Sequence, residues 1–272
     1  VSDELFAEFA RIYEYDDVPL NEQVEAVDTL SIGIRERITF DAGYDGERMI
    51  LYLFRPLGAT EPLQTILGWP GSGALSQTDF EASTTQSPAI SMFLRSGRAM
   101  AWPIYKSTYE RQDDYVYRLQ DESNDHREHV LQWNQDLGRS LDYLETRSEV
   151  DVDRFGYYGT SWGGRNAGVA LAIEERFRAA VLNVPGLSPM PTQPVVDAFN
   201  FLPRIKIPVL MMNGEYDQIY PLETSGKPFF DFLGTPDEDK KHFIAPGGHL
   251  MSLIDITRET LDWFDRYLGE VR

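Results

Sequence analysis

The 272-residue chain has no cysteine. That excludes a disulfide framework, a thiolate nucleophile and a zinc–thiolate site, and it leaves the redox compartment open. Cationic residues are scarce: 25 Lys and Arg stand against 44 Asp and Glu, a formal net charge of −19. Nucleic acid and anionic membranes bind cationic surface, so neither is an expected partner. The same charge adds a bias against anionic substrates. No apolar run approaches the roughly 20 residues of a membrane span, and no signal peptide is visible. A soluble chain is expected, with the cytoplasm favoured over export. The chain starts at Val1 and not at Met, which leads us to expect that a leader, a tag or a preceding domain was removed. Histidine is also sparse, with four in the chain, so a catalytic base has few candidates.

Against these absences one stretch stands out, Gly159-Thr160-Ser161-Trp162-Gly163-Gly164. Asp153 to Tyr158 before it reads as a strand, with Phe155, Tyr157 and Tyr158 favouring extended backbone. Ala167 to Phe177 after it reads as a helix rich in Ala, Leu and Glu. Gly-x-Ser-x-Gly between a strand and a helix is the nucleophile-elbow pattern. A serine hydroxyl attacks only when a base takes its proton and a fixed turn aims it. Side chains at Gly159 and Gly163 would collide with neighbouring backbone. The N–H of Trp162 then opens a helix, where negative charge is favoured.

In chain order, Asp3 to Tyr13 shows helical spacing, and Tyr15 to Leu30 is acidic and irregular; residues 1–30 are expected to be an N-terminal embellishment. Ile34 to Phe40 and Arg48 to Arg55 form a hairpin around a Gly/Asp turn. Gln64 to Trp69 is a buried third strand that runs into Pro70-Gly71-Ser72-Gly73. A helix over Pro88 to Ser96 and a strand over Arg98 to Pro103 follow. His126 to Arg147 is an amphipathic helix. His126 and His129, three apart, have no third metal ligand in view and are expected on a solvated face. Arg178 to Val184 and Ile207 to Asn213 are strands, Glu223 to Leu233 a helix, Lys241 to Ala245 the last strand and Ser252 to Leu268 the closing helix. Residues 106–125 and 185–203, the latter with four prolines between 189 and 203, are insertions able to wall a pocket. The total is eight strands alternating with helices after an initial hairpin. The expected fold is α/β, a mostly parallel sheet flanked by helices, in a single domain over residues 1–272.

A serine nucleophile needs a base, and the base an orienting carboxylate. Among the histidines only His249 lies in a Gly-rich loop after a late strand, Pro246-Gly247-Gly248-His249; His242 begins a strand. The carboxylate belongs between Ser161 and His249 in sequence. Asp217, in Asn213-Gly214-Glu215-Tyr216-Asp217, lies just past the end of a strand. Glu215 is the weaker alternative, and Asp237 and Asp239 read as solvated loop charges. The loop after the third strand supplies a second oxyanion donor in such sites, here the N–H of Ser72 or, alternatively, Gly71, beside that of Trp162. Trp69, Tyr105, Trp162 and Leu250 are the candidate pocket residues.

On these motifs the chain resembles the α/β-hydrolase superfamily, in its dienelactone-hydrolase and prolyl-oligopeptidase-like branch. Ser96-Gly97-Arg98 with Tyr105-Lys106-Ser107-Thr108-Tyr109-Glu110-Arg111, and Asp136-Leu137-Gly138-Arg139-Ser140, are similar to hydrolase domains found after bacterial Ser/Thr-kinase modules. That similarity runs over nearly the whole chain and carries no substrate. One departure is Trp69-Pro70 where such hydrolases carry His-Gly before the oxyanion loop. The resemblance implies a serine hydrolase acting on a small-molecule carboxylic ester, with neither a metal nor an organic cofactor. A prolyl-oligopeptidase-like peptidase or amidase, an acyltransferase and a catalytically idle interaction domain are the alternatives. The sequence does not specify the oligomeric state.

Overall fold

The structure, a computed structural model, describes residues 1–59, 62–84, 87–116 and 121–271. A short helix, α1 (Asp3–Arg11), precedes three strands, β1 (Gln23–Leu30), β2 (Gly33–Asp41) and β3 (Arg48–Arg55). Then come β4 (Leu63–Trp69), α2 (Phe80–Thr84), α3 (Pro88–Arg95) and β5 (Ala99–Ile104). The second half alternates α4 (Asn124–Glu145), β6 (Val150–Thr160), α5 (Trp162–Ile173), β7 (Phe177–Asn183), α6 (Ala198–Phe201), β8 (Val209–Gly214), α7 (Lys227–Phe232), β9 (Lys240–Ala245) and α8 (Leu253–Leu268).

All nine strands join one sheet in the order β1-β2-β3-β5-β4-β6-β7-β8-β9. The first three and the β3–β5 pair are antiparallel, and the rest are parallel. The central strands are buried along their whole length, as parallel strands covered on both faces must be. Side chains alternate between two cores. Tyr157 joins Trp69, Trp133 and Trp162 on the α4–α5 face, and the next residue, Tyr158, joins Phe93 and Phe264 on the α3–α8 face.

The sheet has one strand more than the expected eight. Residues 23–30, expected to be irregular, form the edge strand β1, and a register shift between Val24 and Ala26 breaks its two-residue alternation. The chain's third strand by sequence is therefore its fourth. Helix α5 starts at Trp162, five residues before the expected Ala167, and ends at Ile173. A single π-turn, Leu222–Gly226, replaces the first turn of the expected helix from Glu223.

The segment 185–203 lines neither of the two cavities described below. Its Phe201 is fully buried and packs against Phe6, Phe9 and Tyr13, so it seats α1 on the sheet layer. Part of the other expected insertion, residues 117–120, lies outside the described residues. Its first part is anchored by Asp136 of α4. That fully buried carboxylate accepts from the N–H of Lys106 (2.8 Å), the hydroxyl of Tyr44 (2.7 Å) and the guanidinium of Arg111 (2.6 Å). Among the described residues no helix is long and apolar enough to cross a membrane.

Candidate active site

The carboxyl ends of β4, β6, β7, β8 and β9 converge on one edge of the sheet, where open α/β sheets bind ligands. Ser161 follows β6 directly, with φ 54° and ψ −105°. This is a region that non-glycine residues rarely occupy, and such strain gathers at functional sites. Three neighbours impose it. The N–H of Ser161 donates to the carbonyl of Asn183 at the end of β7 (2.8 Å), that of Gly163 to Pro70 after β4 (2.9 Å), and that of Arg165 closes the first helical turn on the Ser161 carbonyl (2.8 Å). A Cβ at Gly159 would come within 2.6 Å of the Gly163 carbonyl oxygen, and one at Gly163 would run into the carbonyl of Trp69. Only glycine lets β4, β6 and α5 meet this closely.

His249 lies in the loop between β9 and α8. Its Nε2 is 2.8 Å from the Ser161 hydroxyl, and its Nδ1 is 2.8 Å from a carboxylate oxygen of Asp217. The Asp217 side chain is wholly buried. Its other oxygen accepts from the backbone N–H groups of Ile219 (2.8 Å) and Tyr220 (3.0 Å). Both carboxylate oxygens are thus engaged, which fixes the face it presents to the imidazole. Glu215 is exposed in the same loop, and Asp237 lies at the surface, paired with Lys240.

Two adjoining cavities open at this edge. One, of about 450 Å³, is lined by Ser161, His249, Ser72, Ile219, Tyr220 and Leu250, among others. Its neighbour, of about 430 Å³, shares Gly71, Gly73, Thr160, Asn183, Leu253 and Ile256 with it, and runs on to Met92, Trp102, Tyr109 and Tyr158. Gly71 passes close over the nucleophile: a Cβ there would stand 3.7 Å from Ser161 Cβ. Gly71 caps a short 3-10 turn, Ser72–Ser76. The amide of Ser72 opens that turn as the amide of Trp162 opens α5, and amides that open a helix point out of it.

Of the expected pocket residues, Leu250 lies on the cavity rim and is 91% exposed. Trp69, Tyr105 and Trp162 are corrected. All three are buried and line neither cavity. Tyr105 stacks on Trp69 with centroids 4.1 Å apart, and its hydroxyl donates to the Gly68 carbonyl (3.2 Å). Trp162 stands edge-on to Trp133 at 4.7 Å. They form the floor under the elbow: the pleat of β4 turns Trp69 to the α4–α5 face, where Tyr105, just past β5, and Trp162, at the start of α5, pack against it.

His126 and His129 are also corrected, since both are buried and not solvated. Tyr115 folds over the start of α4, stacks on His129 at 4.0 Å and hydrogen-bonds His126 Nδ1 (2.9 Å). Burial, followed by the charge of Arg165, pulls the His126 pKa down to about 4. Among the described residues no group of three His, Asp or Glu side chains is placed to hold a metal ion. His242, on β9, hydrogen-bonds Asn213 (2.9 Å), and burial likewise lowers its pKa to about 4.

Sequence reasoning missed Asn183 and Val184. Val184, which lines the cavity, has φ 48° although it is β-branched and precedes a proline. The one available signal was position, an asparagine ending a central parallel strand.

A model of the dienelactone hydrolase family matches residues 98–227. No curated protein sequence matches. Among solved structures, the chain is similar to acetyl xylan esterase 1 from Thermoanaerobacterium sp. JW/SL YS485 at 18% identity and a TM-score of 0.74, over 97% of this chain and 94% of that one. It is similar to the acetyl xylan esterase from Paenibacillus sp. R4 at 20% identity and a TM-score of 0.72, again over 97% and 94%. A putative dienelactone hydrolase from Klebsiella pneumoniae subsp. pneumoniae MGH 78578 aligns at 19% identity and a TM-score of 0.65, over 84% of this chain and 98% of that one. The chain thus has the α/β-hydrolase fold, and its residues 98–227 match the model of the dienelactone hydrolase family.

Proposed function

We propose that the protein is a serine esterase that cleaves a small carboxylic ester through Ser161, His249 and Asp217. The observation that carries this is the unbroken hydrogen-bonded chain from the Ser161 hydroxyl through His249 to Asp217, with both links at 2.8 Å. Ser161 Oγ attacks the ester carbonyl as His249 Nε2 takes its proton. The tetrahedral oxyanion is held by the N–H groups of Trp162 and Ser72, which open helical turns beside the nucleophile. Collapse breaks the carbon–oxygen bond to the alcohol, which leaves with the proton from His249. Water then gives its proton to His249, attacks the acyl-serine and releases the acid. Asp217 keeps the Nδ1 proton on the ring and stabilises the imidazolium. Every step uses side chains and amides of this chain.

Fluorophosphonate labelling tests the nucleophile. Wild type is expected to label, Ser161→Ala is not, and p-nitrophenyl acetate turnover should fall by about 10⁴-fold or more in the variant. A folded wild type that neither labels nor turns over any ester would refute the assignment. Faster cleavage of an anilide than of the matching ester would turn the reading to a peptidase.

A further inference from the structure

We infer that the cavity lobe running from Gly71 to Trp102 is an acyl-side subsite for a neutral acyl group that carries an aromatic ring. The inference rests on the serine-esterase reading and adds a substrate class to it. Two lobes meet at Gly71, Thr160 and Asn183, but Ser161 and His249 line only one of them. The leaving alcohol must receive its proton from His249, which puts it on the His249 side, toward Ile219, Tyr220 and Leu250. The carbonyl oxygen turns to the Gly71–Ser72 loop. The third substituent on the reacting carbon is the acyl group, and the direction left to it leads past Gly71 into the second lobe. With about 430 Å³, this lobe is far larger than an acetyl group needs.

The lining selects the chemistry. No Arg, Lys, Asp or Glu lines either lobe among the described residues. Glu110 stands behind one wall, hydrogen-bonded to Tyr52; burial, and after it the charge of Glu110, raises the pKa of the wall residue Tyr109 to about 12. A carboxylate in the acyl group would find no cation there and a negative field beyond. Trp102, Tyr109 and Tyr158 supply aromatic faces and Met92 a soft apolar one. Tyr109 adopts φ 44° and so is held against its backbone preference, as are Ser161 and Val184 at the other lobe.

The test uses p-nitrophenyl esters with one leaving group: acetate, butyrate, hemisuccinate and phenylacetate. Wild type should favour phenylacetate over butyrate by about threefold or more in kcat/KM, and butyrate over hemisuccinate by about tenfold or more. Ala89→Phe or Thr257→Phe, each at a residue that lines this lobe and not the one holding Ser161, fills it. Each should lower kcat/KM for phenylacetate at least tenfold and leave acetate within twofold. Unchanged aryl rates in both variants would overturn the subsite. So would a loss confined to acetates of bulky alcohols, which would make the lobe a leaving-group site. If wild type hydrolyses acetate and labels with fluorophosphonate but shows no aryl preference, the subsite fails and the esterase reading stands. If neither occurs, the esterase reading itself has failed.

Discussion

Ser161 occupies a backbone region that costs a non-glycine residue about 1–3 kcal/mol, and its neighbours hold it there through the amides of Ser161, Gly163 and Arg165. Gly163 is the least replaceable of them. Gly163→Ala would press a methyl group into the Trp69 carbonyl and force β4 and α5 apart. We expect loss of soluble, cooperatively unfolding protein, read by thermal denaturation. Asp217 can be tested without such damage. Asp217→Asn keeps the shape but presents an amide to His249 Nδ1, so the ring loses the partner that fixes its tautomer. A fall in kcat of about 10³- to 10⁴-fold with an unchanged melting temperature is expected. Equal activity in the two proteins would remove Asp217 from the mechanism.

Among the elements, the loop after β5 shows how a buried charge sets a surface. Its Lys106 amide and Arg111 guanidinium both end on Asp136, which is shut away on α4. Removing one partner of a buried pair leaves the other charge uncompensated. Asp136→Ala should therefore cost about 3–5 kcal/mol in chemical denaturation and loosen Tyr109 against the second lobe. A cost under about 1 kcal/mol would show that Arg111 is compensated by its second partner Glu47 (3.2 Å) and by water. The same scale shows where patterning misleads. Residues 23–30 lack alternation because of the β-bulge, and mostly exposed side chains left no apolar face to read. Helix α5 begins on Trp162-Gly163-Gly164, where glycine opposes helix formation; close packing against β4 and β7 overrides that preference.

For the molecule as a whole, the buried histidines couple folding to pH. Burial lowers both His126 and His242 to about 4, whereas an unfolded chain titrates near 6.5. Between those values the unfolded state binds more protons, so stability is full above about pH 6.5 and declines as pH falls toward 4. His126 accounts for a loss on the order of 3 kcal/mol over that window. His126→Leu should flatten the slope of unfolding free energy against pH by about one proton, measured by urea titration at several pH values. An unaltered slope would mean that His126 is solvated in the folded protein. The excess of acidic over basic residues lies elsewhere: no carboxylate lines either cavity among the described residues.

The sequence by itself determined the fold class and the chemical identity of the elbow. Alternating strand and helix patterns demand a largely parallel sheet, and local steric rules tie Gly159 and Gly163 to a serine at a sharp turn. Order along the chain was enough to single out Asp217 and His249 as its partners. Which side chains face the substrate was decided only by tertiary structure. Trp69, Tyr105 and Trp162 read from sequence as pocket aromatics, yet the pleat of β4 and the start of α5 turn them into the floor. Asn183, Trp102 and Tyr109 gave no local signal, and they meet at one cavity because the carboxyl ends of β5 and β7 open onto it. His126 and His129 look like a wet helix face until Tyr115, from the loop before α4, folds over them. Local propensity acts over a few residues; burial and cavity shape are set by contacts between segments many tens of residues apart.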